Sequence, residues 1–177
     1  KPVELFKHQK FISDFLSRET PYRGCLLYYG LGSGKTLSSI NVAEGINKQV
    51  VVFLPASLKN NFKTDLYKKG CTLYHKKNQW CFLDMSNYTE PANLERLKGM
   101  GFPVDNIALI KRLYVSVGPN GKGGFWTVQK GATKSNYKLF RMDDQKTIAK
   151  TVHILREYKY QFIHYNSSGD IIRQLMI

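Results

Sequence analysis

Acidic residues are scarce in this chain. Thirteen Asp and Glu stand against twenty-seven Lys and Arg among 177 residues, a net charge of +14. The deficit is local. No acidic residue lies between Asp105 and Asp143, while Lys111, Arg112, Lys122, Lys130, Lys134, Lys138 and Arg141 all do. A second group, Lys59, Lys63, Lys68, Lys69, Lys76 and Lys77, faces Asp65 alone. Such fields attract polyanions, nucleic acid above all. A solvated, solubilising surface is the alternative reading of the same charges.

Cysteine is also scarce. Cys25, Cys71 and Cys81 are odd in number, and no two have zinc-ligand spacing. That argues against a disulfide framework and a cysteine zinc site, and points to reduced thiols in an intracellular setting. The histidines His8, His75, His153 and His164 are scattered without paired ligand spacing, so no metal role is assigned to them. No apolar run approaches the ~18–20 residues of a membrane span, so no membrane partner is expected. Hydrophobic residues make up 42%, ordinary for a globular protein and too many for a disordered one. The start, Lys1-Pro2-Val3-Glu4, is neither a methionine nor a signal-peptide core. A processed or excised N-terminus is therefore expected.

What is present reads as alternating helices and strands. Leu5 to Leu16 carries Phe11, Ile12, Phe15 and Leu16 at helical spacing. Gly24 to Tyr29 is an apolar run ending at a glycine-rich turn, which predicts a buried strand. A helix follows from Lys35, with Leu37, Ile40 and Ala43 on one face. Val50 to Leu54 predicts a second buried strand, closed by Pro55. Ser57 is the expected cap of a helix running to about Lys69. This order opens a parallel α/β sheet. Further on, Leu113–Val117 and Phe125–Gln129 are predicted as two strands joined by the turn Pro119 to Gly124. Asp143-Asp144 precedes a predicted helix through Arg156, with one Asp as its cap. Tyr160 to Tyr165 predicts another strand, stopped at Asn166 to Gly169, and a new segment runs from Ile171 to Ile177.

The turn after the first predicted strand carries chemistry. Gly30-Leu31-Gly32-Ser33-Gly34-Lys35-Thr36 matches the phosphate-binding loop, with Tyr29 where the first consensus glycine stands. Backbone N–H groups must converge on phosphate oxygens, and side chains at Gly32 or Gly34 would obstruct that approach. The following helix adds its N-terminal dipole. Lys35 is expected to reach the β and γ phosphates, and the Thr36 hydroxyl to ligate Mg²⁺. The cofactors expected are ATP and Mg²⁺. A plain flexible turn is the competing reading.

With the loop placed, Leu5 to Leu66 resembles the start of a superfamily 2 helicase or translocase. Phe6-Lys7-His8-Gln9 resembles the glutamine motif, Leu26 to Thr36 motif I, and Val51 to Leu58 with Asn61-Phe62 motif Ia. Within that superfamily the chain is similar to helicase-like ATPases of large cytoplasmic DNA viruses, of the poxvirus early transcription factor small subunit and nucleoside triphosphate phosphohydrolase I type. Leu26 to Thr36 and Tyr160 to Asn166 carry that likeness, which covers roughly the first third of the chain and one later strand. The resemblance implies an α/β fold, a partial first RecA-like lobe with a mostly parallel sheet flanked by helices. Residues 1–70 would hold the glutamine motif, phosphate loop and motif Ia, and residues 71–159 a basic insertion with a β-hairpin. Residues 160–177 would return to the core. It implies that Gln9 reads the adenine edge and that Gly30, Leu31, Gly32, Ser33, Gly34, Lys35 and Thr36 hold the phosphates. Ser57, Lys59 and Asn61 would meet a nucleic-acid backbone; the sequence leaves DNA and RNA both open, with DNA the favoured expectation. Phe6 is expected in the core. Most aromatics of the basic tract are also expected there, Trp126 being the best candidate for an exposed stacking contact.

The family also needs an Asp-Glu pair after a hydrophobic strand, and no Asp-Glu dipeptide occurs in these 177 residues. The expectation is the front part of a longer protein, with the pair and a second RecA-like lobe further on, so that this piece alone is inactive. A decayed site is the other possibility, leaving a nucleotide-gated or structural nucleic-acid binder. A P-loop kinase is a third reading, opposed by the basic tract and the lack of an arginine-rich lid. If viral, the protein would work in host cytoplasm or virion, with transcription-machinery subunits as possible partners.

Overall fold

The computed structural model describes residues 5–17, 19–46, 48–69, 75–76, 78–129 and 134–165. In chain order these form α1 (Lys7–Phe15), α2 (Lys35–Gly45), β1 (Val50–Leu54), α3 (Lys59–Lys69), β2 (Trp80–Asp84), α4 (Pro91–Gly99), α5 (Ile107–Leu113), β3 (Gly124–Val128), α6 (Met142–Lys159) and β4 (Tyr160–His164). The result is mixed α/β. The chain divides into two compact units, Lys1–Cys71 with Lys159–Ile177, and Thr72–Tyr158.

In the first unit, β1 and β4 form a parallel pair, from Val50 opposite Tyr160 to Leu54 opposite His164. One face is covered: Ile40 and Ala43 of α2, Leu66 of α3 and Tyr160 form a buried cluster, with Val50, Val52, Phe62 and Phe162 against it. The period of two in β1 decides this, sending Val50 and Val52 inward. Val51 and Phe53 point the other way and stay exposed. A strand buried on both faces was expected; β1 is covered on one. The end of α2 is tied to β4, because the Tyr160 hydroxyl donates to Glu44 Oε1 and Lys159 Nζ stands 3.3 Å from Glu44 Oε2.

Gly24–Tyr29 is not a strand. It runs without regular structure, and Leu26 and Tyr28 are 92% and 97% exposed. A strand exists through ladder hydrogen bonds to a neighbour. Among the described residues the parallel sheet holds only β1 and β4, and neither pairs with this segment.

In the second unit, β2 and β3 pair antiparallel, Phe82 opposite Trp126. This corrects the expected hairpin. Leu113 ends α5, and of the segment after it only Val115 bridges to Gly124. Gly121, at φ +73°, turns the loop between them. Two clusters flank the sheet, one around Leu97, Ile110, Leu113 and Phe125, the other around Trp80, Trp126, Ile148 and Val152. Helix α6 serves both, through Ile154 and Leu155 and through Ile148 and Val152. Helix α4 opens on Pro91 at its first position, where the missing N–H costs nothing. It closes on Gly101, left-handed at φ +87°, whose N–H donates to Lys98 O, while Phe102 N–H donates to Leu97 O. Asn106 caps α5, its side chain accepting from Leu109 N–H at 2.9 Å. Asp143 and Asp144 lie inside the first turn of α6 instead of capping it; Gln145 N–H donates to Arg141 O, so the helix begins earlier than expected. Carboxylates there still favour the helix dipole. Segment Ile171 to Ile177 and the stop at Asn166 to Gly169 lie outside the described residues.

Candidate nucleotide-binding site

The glycine loop is built by backbone conformations that few residues other than glycine adopt. Gly32 and Gly34 have φ of +76° and +85°. Ser33 folds back, its hydroxyl donating to Gly30 O at 2.7 Å. Gly34 stands immediately before α2, and its carbonyl accepts from Ser38 N–H at 3.0 Å. Lys35 and Thr36 are then the first two residues of the helix, where backbone N–H groups lack intrahelical acceptors and an anion is favoured. Lys35 is exposed and curls back over the loop. Its ammonium donates to Tyr29 O at 2.7 Å and Gly30 O at 2.9 Å. The ammonium, the helix N-terminus and the two left-handed glycines therefore meet at one loop.

Helix α1 closes this loop from one side. Gln9 is 1% exposed, which excludes a solvent-facing glutamine. Its Oε1 accepts from Phe6 N–H at 3.0 Å, half of a capping box that starts α1. Its Nε2 lies against Gly34, where a Cβ would overlap it. His8 Nε2 is 3.2 Å from Ser33 O, and the His8 ring meets Tyr29 edge-on with centroids 5.2 Å apart. Phe6 was expected in the core. It is 66% exposed and stacked on His8, centroids 5.7 Å apart. Phe6, His8 and Gln9 of the α1 start and the glycine loop thus form one assembly. Sequence reasoning passed over His8; its signal was adjacency to Gln9, which put it on the same turn of α1.

The donor set suits a polyphosphate with one divalent ion. Among the described residues no three His, Cys, Asp or Glu side chains gather as a metal site. Mg²⁺ usually takes one or two hard oxygen ligands from protein beside phosphate oxygens and water, and a threonine hydroxyl, as at Thr36, is of that type.

Leu31, at the loop tip, is fully exposed. Ser57 is not a cap; it lies in a short 3₁₀ turn, Ala56–Leu58, ahead of α3. Lys59 is the first residue of α3, and Asn61, exposed, follows two residues on. Ser57 thus stands in that turn, and Lys59 and Asn61 in the first turn of the 11-residue α3. In the second unit, Lys111, Arg112, Lys122, Lys134, Lys138 and Arg141 are all exposed; Lys130 lies outside the described residues. Trp126 is not an exposed contact. It is 1% exposed, and its indole N–H donates to Thr147 Oγ1 at 2.8 Å. Phe125 is buried, and Tyr114, Tyr137 and Phe140 are half-buried, so these aromatics pack the interior. Among the described residues no helix is long and apolar enough to cross a membrane.

Similarity to known proteins is confined to part of the chain. A protein of Acanthamoeba polyphaga mimivirus, named as an ATP-dependent RNA helicase, is 38% identical over 60 residues, 33% of this chain and 10% of its own length. A second mimivirus protein of the same description is 41% identical over 64 residues, 33% of this chain and 8% of its own length. A protein of Frog virus 3, named as a helicase, is 39% identical over 67 residues, 34% of this chain and 7% of its own length. The chain therefore spans at most about a tenth of these relatives. No family model matches, and no solved structure matches. Over about a third of its length the chain is similar to viral helicase proteins.

Proposed function

We propose that this chain is the ATP-binding lobe of an ATP-dependent nucleic-acid helicase or translocase, RecA-like and of superfamily 2 type. The observation that carries the reading is the assembly of Gln9, Gly34 and Lys35: a left-handed glycine before a helix, an ammonium over the loop, and a buried glutamine behind it. The partial likeness to viral helicase proteins supports the same class.

In this reading Lys35 exchanges two neutral carbonyl partners for β and γ phosphate oxygens. The ammonium is charged in both sets of bonds, but phosphate oxygens are charged too, so the exchange adds a Coulomb attraction that the carbonyls lack and favours the nucleotide. Loop amides from Gly30 to Gly34 and the first amides of α2 take the remaining oxygens. Thr36 holds Mg²⁺, which supplies charge neutralisation between the phosphates. Gln9, the residue assigned to the adenine edge, has its Oε1 engaged by Phe6 N–H and its Nε2 against Gly34, and the exposed Phe6 ring offers an apolar face for the base beside it. Ser57, Lys59 and Asn61 meet a nucleic-acid backbone at the start of α3. Residues 71–159 are an insertion carrying the basic tract, whose partner is a nucleic acid. Hydrolysis requires an Asp-Glu pair and a second lobe that these 177 residues do not contain, so the piece binds ATP without turning it over. The absence of that pair also favours, as a second reading, a nucleotide-gated nucleic-acid binder.

The nucleic-acid half of the proposal is tested with a labelled single-stranded oligonucleotide. Binding at low salt should weaken as salt rises, and weaken further in the Lys59→Ala/Asn61→Ala double variant. No binding at low salt contradicts it, and equal binding by the double variant removes these residues from the interface.

A further inference from the structure

Ser33 O is a carbonyl and can only accept, so the His8 ring must carry its proton on Nε2 to bond it at 3.2 Å. The same ring meets Tyr29 at the other end of the loop and stacks on Phe6 behind. His8 therefore touches the glycine loop at two points, Tyr29 and Ser33, from its place on α1.

The Ser33–Gly34 peptide has freedom to flip, because Gly34 lacks a Cβ and already sits at φ +85°. The bond is trans, as are all described peptide bonds. In a trans peptide the carbonyl and the following N–H point in opposite directions. A carbonyl held toward His8 directs Gly34 N–H away from α1. Gln9 Nε2 against Gly34 holds the next part of the same backbone.

We infer that His8 is a positioning residue of the nucleotide site: it fixes the Ser33–Gly34 peptide plane so that Gly34 N–H is set for phosphate before the nucleotide arrives. The inference rests on the proposed nucleotide-binding function. It also gives Tyr29 a reason to replace the consensus glycine. Its ring meets the imidazole nearly at right angles, centroids 5.2 Å apart, while its backbone carbonyl still serves Lys35.

The test is calorimetric titration of the full chain with MgADP, using wild type, His8→Phe, His8→Ala and His8→Gln. Phe keeps the ring contacts and removes the donor; Gln keeps an N–H donor without the ring. His8→Phe and His8→Ala should each bind about 3–10-fold more weakly, the size of one net hydrogen bond. His8→Gln should recover most of the loss, and thermal midpoints should stay together because His8 is exposed. If His8→Phe binds like wild type, or His8→Gln binds no better than His8→Ala, the donor role is overturned. If the wild type itself does not bind MgADP, the nucleotide reading fails first and takes this one with it. Where wild type binds and Lys35→Ala does not, a null result at His8 counts against His8 alone.

Discussion

Gln9 and Gly34 occupy one space: the Nε2 of the first lies where the second would need a Cβ. The contact joins α1 to the glycine loop and explains both residues. Gln9 is held in place by its bond to Phe6 N–H, and Gly34 must have no side chain for Gln9 to stay there.

Gly34→Ala should therefore be costly twice. A non-glycine residue at φ +85° costs about 1–3 kcal/mol, and the methyl group pushes on buried Gln9. Urea unfolding should show a loss of that size, and nucleotide titration a loss of binding. Gly30→Ala is the control, because a Cβ there meets nothing within 4 Å and its φ is not positive. Equal stability loss in both variants would contradict the geometry.

Leu66 anchors α3 on the covered face of the β1–β4 pair and is 2% exposed. Leu66→Ala should cost about 2–5 kcal/mol, from lost burial and the cavity left behind. Denaturant unfolding measures it. A change below about 1 kcal/mol, outside the range for a buried leucine, would mean that α3 does not pack as described.

Burial raises the pKa of the Cys81 thiol. Its Sγ also faces Thr127 O across the antiparallel pair, at 3.7 Å. A raised pKa leaves less thiolate at neutral pH, and the thiolate is the nucleophile. Both Cys25 and Cys81 are exposed, so the raised pKa rather than access should make Cys81 the more slowly alkylated of the two at about pH 7.5, and the gap should narrow as pH rises or the chain unfolds. Mass spectrometry after brief iodoacetamide labelling reads the order. Cys81 modified first would contradict it.

Much of the fold was legible because its signals are local. Apolar residues at helical spacing placed α1 and α2, and Val50 to Leu54 and Tyr160 to His164 placed β1 and β4. What failed was pairing, which sequence proximity does not encode. Nearness along the chain joined Leu113–Val117 to Phe125–Gln129, whereas β3 pairs with distant Trp80–Asp84. Gly24–Tyr29 has the composition of a buried strand, but composition cannot supply the neighbour that makes one. Helix α5, at 7 residues, spans barely two turns, too few for periodicity to stand out. At the site, Gly34-Lys35-Thr36 was visible as a motif. The His8 contacts to Ser33 and Tyr29 were not, because they depend on how α1 approaches the loop in space.

The central claim is that the loop from Gly30 to Thr36 holds a nucleotide's phosphates through Lys35. Titration of the chain with MgADP and MgATP, beside Lys35→Ala, tests it most directly. The account predicts saturable one-to-one binding by wild type and a loss of roughly ten-fold or more in the variant, consistent with removal of a charge-assisted contact, with an unchanged unfolding midpoint. Equal affinity in both proteins, or no affinity in the wild type, would contradict it.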